Sequence, residues 1–148
     1  MSRNFDISIG EFYHIYNRGV DKRNIFERQN DYNRFLFLLY LCNSPEPVDL
    51  QKLFKCKKKF PDIFSWKTDK KLVAIGAYCL MPNHYHLLLS ETKKGGISKF
   101  MQKISTAYSM YFNIKRKRTG TLSQGRYKAR HIDNDNYLKY LFAYIHLN

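Results

Sequence analysis

The chain has 148 residues, of which 44% are hydrophobic, enough for one domain with an ordinary globular core. Lys and Arg number 26 against 12 acidic residues, a net charge of +14 that points to a polyanionic partner, because neutralising phosphates releases counterions. With no run of 18 apolar residues and no basic-then-apolar leader, a membrane protein is set aside and a cytoplasmic, nucleoid-associated one expected. Cys42, Cys56 and Cys79 are odd in number and form no CxxC pair, which argues against a disulfide framework and a cysteine zinc site.

Taken in chain order, "EFYHIYNRG" (11–19) alternates, with Phe12, His14 and Tyr16 on one face and Tyr13 and Ile15 on the other, and reads as a strand. "NDYNRFLFLLYLCN" (30–43) has a helical period, with Asn30 or Asp31 as its N-cap, and the two prolines of "SPEPVD" end it. Residues 48–71 mix lysine runs with short apolar clusters and read as a basic excursion with one short helix. "LVAIGAYCLM" (72–81) is a buried strand, Pro82-Asn83 a turn, and "HYHLLLS" (84–90) its hairpin partner. After the "KKGG" loop (93–96), Ile97, Phe100, Met101, Ile104, Tyr108, Tyr111 and Phe112 stripe a long helix that stops near Gly120. "GRYKARHID" (125–133) is a last strand and "NDNYLKYLFAYIHLN" (134–148) a last helix, capped by Asn134 or Asp135. The order β-α-β-β-α-β-α predicts a single α+β domain over 1–148. Its arrangement is the ferredoxin-like split βαβ, with two helices on one sheet face and the other face left for a ligand or the last helix.

Within this frame one stretch carries chemistry. Residues i and i+2 of a strand share a side, so His84 and His86 aim together while Tyr85 and Leu87 face away. Two adjacent imidazoles resist joint protonation and favour a shared cation or shared hydrogen bonds. Two ligands are too few for a tight metal site, so a third must come from elsewhere. On the last helix Leu138, Leu141, Phe142 and Ile145 form an apolar face, with Tyr137, Tyr144 and Asn148 on an adjacent stripe and Tyr140 at its edge. Tyr144 and Asn148, spaced i, i+4, project together: a phenol able to act as a nucleophile and a hard carbonyl ligand. The same positions also fit a tyrosine rimming the core and an asparagine ending a helix. His14, His131 and His146 read as structural, with His131 and Asp133 a hydrogen-bonded neighbour pair.

"YCLMPNHYHLLL", "GRYKAR" and "FAYIHLN", together with "YHIYNRGVDKRNIF" (13–26), resemble the single-tyrosine transposases of the HUH endonuclease superfamily. The resemblance is to the REP-associated tyrosine transposase type and covers nearly the whole chain. It implies His84 and His86 as metal ligands, Asn148 as the third where many relatives carry Gln, and Tyr144 as nucleophile, with Tyr140 the second candidate. Implied too are cleavage and rejoining of single-stranded DNA through a 5′-phosphotyrosine, assisted by Mg²⁺ or Mn²⁺, with DNA hairpins as recognition elements. Arg18, Lys22 and Arg23, Lys115, Arg116, Lys117 and Arg118, and Arg126, Lys128 and Arg130 would form the groove for the DNA backbone. Relatives include monomers and dimers in which one subunit's tyrosine helix completes the other's metal site, so the resemblance allows a homodimer without requiring one. The segment 48–71 looks longer than in many relatives, and such proteins usually continue beyond the position of Asn148. The alternative is a non-catalytic or domesticated nucleic-acid-binding ferredoxin-like domain, although the chain lacks the RNA-recognition signature K/R-G-F/Y-G/A-F-V-x-F/Y.

Overall fold

The computed structural model describes residues 6–47, 49 and 70–147. The expected excursion at 48–71 falls almost wholly outside them, as does Asn148. Four strands, β1 (Phe12–Arg18), β2 (Val73–Met81), β3 (His84–Glu91) and β4 (Lys128–His131), form one antiparallel sheet in the order β2-β3-β1-β4. With the helices α1 (Gln29–Leu41), α2 (Gly96–Lys115) and α3 (Asp135–Leu147), this is the ferredoxin-like α+β arrangement that the pattern implied.

Alternation explains which residues lie where. Tyr13 and Ile15 of β1 and Tyr85, Leu87 and Leu89 of β3 are buried on one sheet face. There they meet Phe35, Leu38 and Leu39 of α1 and Phe100, Met101, Ile104 and Tyr108 of α2, forming the main core. The opposite face holds a smaller core. Cys79 and Leu88 of the sheet, with Ile132, pack against Leu141 and Ile145 of α3. Two crossover helices therefore cover one face, and the last helix lies on the other.

Close approach fixes one glycine. A Cβ at Gly96 would stand 2.0 Å from the Leu72 carbonyl oxygen, so only glycine lets α2 start beside β2. The buried Glu91 side chain caps that start, its Oε1 accepting the Ile97 N–H at 3.0 Å.

Three boundaries differ from the sequence reading. α1 starts at Gln29, so Asp31 caps it from inside the first turn, accepting the N–H groups of Glu27 (2.9 Å) and Arg28 (3.0 Å). α2 ends at Lys115 rather than near Gly120, because Lys117 takes a left-handed backbone (φ 51°) and closes a Schellman turn. The turn's two bonds run from Lys117 N–H to Ile114 O and from Arg118 N–H to Asn113 O. β4 has only four residues, since the chain before it bends through Gly125 (φ 68°) and meets the residue just after β1 as a single bridge, Gly19 to Ser123. For α3, the Asn134 side chain caps the Tyr137 N–H at 2.7 Å.

Two buried polar residues tie the layers. Asp31 also accepts from the Tyr111 hydroxyl at 2.9 Å and from Arg116, which in turn pairs with Glu27, locking α1 to α2. Burial opposes its ionisation. The Glu27 N–H, Tyr111 hydroxyl, Arg28 N–H and Arg116 prevail and hold its carboxyl below the ordinary value of 3.8. Asn43, just past α1, clasps the start of β2. Its Oδ1 accepts the N–H groups of Leu72 (3.0 Å) and Val73 (2.9 Å), and its Nδ2 donates to Val73 O (2.9 Å).

Asn43→Ala orphans the Val73 groups, so a loss of about 2–3 kcal/mol is expected in urea unfolding at unchanged m-value; a loss below about 0.5 kcal/mol would show the clasp to be dispensable. Because the native carboxyl of Asp31 ionises below its ordinary value, its stabilisation is complete above about pH 4 and vanishes as pH falls through the native value. Stability curves between pH 2 and 6 should therefore be flatter at the acid end in Asp31→Asn than in the wild type.

Candidate active site

The second sheet face assembles the chemistry. Cross-strand register places Tyr16 opposite His86, Arg18 opposite His84, Tyr16 opposite Lys128 and His14 opposite Arg130, and directly opposed residues project to the same side. His84 and His86 thus share a face, as i and i+2 must, with ring centroids 5.0 Å apart. Their strand is held at its start by the turn before it: Pro82 O accepts from Ile25 and Phe26, and Asn83 O accepts from Gly19.

Hydrogen bonds orient both rings. His84 Nδ1 lies 2.7 Å from Asn83 Oδ1, an acceptor only, so Nδ1 carries the proton and Nε2 the lone pair. His86 Nδ1 lies 2.9 Å from His14 Nε2, and His86 Nε2 is buried with no hydrogen-bond partner. Burial lowers His86 to about 4, helped by His14 and His84; burial, with Arg130, lowers His14 to about 4; burial alone lowers His84. The face therefore presents neutral imidazoles at pH 7, the protonation state in which histidine binds metals. Among the described residues, no third His, Cys, Asp or Glu joins them in a metal-holding group. The donor set nevertheless suits a cation: two neutral nitrogens, one of them a buried atom lacking a partner.

α3 carries the nucleophile candidate to this point. Its apolar face, Leu141 and Ile145, is buried against the sheet, which turns the neighbouring stripe toward the histidines. The Tyr144 ring meets His86 edge-to-face, centroids 5.2 Å apart at 90°. Being 37% exposed, it keeps one side open to a substrate. Tyr140 stacks on Tyr144 at 6.4 Å but lies farther out, 66% exposed. Asn148, expected as third ligand, lies outside the described residues.

The basic residues expected to form one groove divide between surfaces. Arg18, Lys128 and Arg130 share the histidine side, Arg130 lying over the Tyr137 ring at 4.7 Å. Lys22 and Arg23 are exposed just after β1, beside the turn that starts β3. Arg116 is instead consumed by the Glu27 and Asp31 pairs, and Arg118 braces Asn113 and Thr121. Lys115 bonds the Tyr111 hydroxyl, Lys117 forms the helix end, and Arg126 lines a groove of about 490 Å³ along α2, all away from the histidines.

Two readings change. His14, taken as structural, is part of the site, contacting His86 and, through Nδ1, the Tyr137 hydroxyl at 3.1 Å. His131 pairs with Glu11 at 3.0 Å rather than with Asp133, because β4 ends at His131 and the strand pairing brings the Glu11 end of β1 alongside it. Only cross-strand register connects His14 to His86; its alternation with buried Tyr13 and Ile15, which puts it on the side opposite the main core, was the available signal.

The fold matches a REP-associated tyrosine transposase solved bound to a REP hairpin, with a TM-score of 0.61 and 15% identity over 100% of this chain and 71% of that one. A putative transposase from Deinococcus radiodurans R1 matches with a TM-score of 0.52 and 14% identity, over 99% of this chain and 96% of that one. No curated protein matches the chain. Residues 50–148 match the model of the IS200-like transposases, and the chain belongs to that family. Among the described residues, no helix is long and apolar enough to cross a membrane.

Leu141→Ala should loosen α3 by about 2–4 kcal/mol, the range for a buried leucine. Amide exchange across 135–147 would then speed up about 30- to 1000-fold while the amides of β1 and β3 keep their protection. Uniform acceleration would instead mean that α3 opens only with the whole domain.

Proposed function

We propose that this transposase cleaves and rejoins single-stranded DNA through a covalent tyrosine intermediate, with Tyr144 as nucleophile. The observation that carries the reading is the Tyr144 ring set against His86, on the face that also holds His84. In the forward step the Tyr144 oxygen would form a bond to a backbone phosphorus as the bond from phosphorus to the 3′-oxygen breaks. The phenol proton would leave through the exposed edge of Tyr144. The departing 3′-oxygen would take up a proton, leaving a 5′-phosphotyrosine and a free 3′-hydroxyl. Attack by another 3′-hydroxyl would reverse the step on a new strand and return the phenol. The bond energy is conserved in the phosphotyrosine, so the cycle needs no nucleotide hydrolysis.

His84 and His86, with Asn148 as third ligand, would hold Mg²⁺ or Mn²⁺; two nitrogen donors favour Mn²⁺. When bound, such a cation supplies Lewis-acid stabilisation of phosphate charge. Arg18, Lys128 and Arg130 would bind the DNA backbone beside the histidines and hold a phosphate in reach of Tyr144. The net charge of +14 and the structural likeness to a transposase solved on a REP hairpin support hairpin-bearing DNA as the partner. Tyr144 reaches the His86 of its own chain, which supports a site completed within one subunit rather than across a homodimer.

Incubating the protein with labelled single-stranded DNA hairpins and Mn²⁺ should give a covalent protein–DNA band on a denaturing gel, absent in Tyr144→Phe. A band that survives in Tyr144→Phe would move the role to Tyr140 or another tyrosine. No band with either protein, despite tight binding, would favour a non-catalytic or domesticated DNA binder. His84→Ala and His86→Ala should each abolish the band while hairpin affinity stays within about twofold; equal loss of binding would argue that the histidines hold the DNA instead.

A further inference from the structure

His14, His86 and Tyr137 come from β1, β3 and α3 and form one chain of hydrogen bonds. His14 Nε2 is 2.9 Å from His86 Nδ1, and His14 Nδ1 is 3.1 Å from the Tyr137 hydroxyl. A neutral imidazole has one donor and one acceptor nitrogen, so this chain has only two proton orderings. In the first, Tyr137 donates to His14 Nδ1, His14 Nε2–H donates to His86 Nδ1, and His86 carries its own proton on Nε2. In the second every bond is reversed. His86 Nδ1–H donates to His14 Nε2, His14 Nδ1–H donates to the Tyr137 oxygen, and His86 Nε2 holds a lone pair. Both orderings contain the same protons.

One observation selects the second. His86 Nε2 is buried without a hydrogen-bond partner. A buried N–H lacking an acceptor is rarer and costlier than an acceptor lacking a donor. His84 supplies the parallel: Asn83 Oδ1 can only accept, so His84 already has its proton on Nδ1 and its lone pair on Nε2. The second ordering gives both histidines the same tautomer.

We propose that His14 is a positioning residue that holds His86 in the Nδ1–H form, so that Nε2 presents its lone pair, and that Tyr137 completes the chain. Because Tyr137 and Tyr144 share α3, seating the nucleophile's helix also orders the proton on the neighbouring imidazole. The inference rests on His84 and His86 being cation ligands, since its function is to prepare one of them.

The test combines a spectroscopic and a binding readout on the full chain. Long-range ¹H–¹⁵N spectra of the cation-free protein should show His86 as the Nδ1–H tautomer, becoming mixed or Nε2–H in His14→Phe. Mn²⁺ affinity by calorimetry should fall about 10- to 100-fold in His14→Phe, the range for losing such a supporting contact. His14→Gln, whose amide oxygen can accept from His86 Nδ1–H, should recover most of it. Tyr137→Phe, which keeps the ring and removes only the hydroxyl, gives the same test should His14→Phe fail to fold: partial tautomer mixing and a smaller affinity loss. A wild-type His86 in the Nε2–H form would overturn the inference, and so would equal behaviour of His14→Phe and His14→Gln. A wild type with the Nδ1–H form, lost in His14→Phe but accompanied by no Mn²⁺ binding, would support the positioning role and overturn the cation reading.

Discussion

Strand β3 is buried on both faces, and its pleat is the constraint on which the rest of the molecule depends. It pairs with β1 on one side and β2 on the other, so its side chains can only alternate between two cores. Tyr85, Leu87 and Leu89 go to the main core, and His84, His86 and Leu88 to the other face. A slip of one residue would drive both imidazoles into apolar packing and turn three large side chains outward. The elements at either end inherit this register. The turn before β3 anchors the chain leaving β1, and Glu91 at its end caps α2.

The two cores are unequal, and the difference matters for chemistry. The main core draws on β1, β2, β3, α1 and α2, while α3 is held by a handful of residues around Leu88, Leu141 and Ile145. Opening free energies within one fold range from near zero up to that of global unfolding, and elements with few buried contacts occupy the low end. The helix bearing Tyr144 is therefore the element most easily lifted without disturbing the main core. If DNA enters between Tyr144 and the sheet, as the proposed reaction requires, that division of stability lets the helix move while the main core holds.

The sequence made the periodic elements legible because each carries one dominant pattern: alternation in β1, an apolar stripe in α2, a short apolar run before Pro82. The shared face of His84 and His86 was legible because an i, i+2 spacing in a strand converts directly into one side of the sheet. The place of His14 was not, since its partner lies on another strand and only the register brings them together. Arg116 looked like one more basic residue in "IKRKR", and its capture by a buried Asp31 is a tertiary fact with no local trace. The early end of α2 was hidden for a different reason. Lysine at a left-handed position is an unusual choice where glycine is expected, so Gly120 was the natural but mistaken stop.

The clasp at Asn43 has a consequence for the segment between α1 and β2. One buried side chain gathers both banks of the segment between α1 and β2, so the sheet registers where that segment leaves and returns, not how long it is. Closing a longer loop is cheap, about 0.6 kcal/mol for each doubling of length. A change in the length of that segment should therefore cost little so long as its two ends still meet at Asn43.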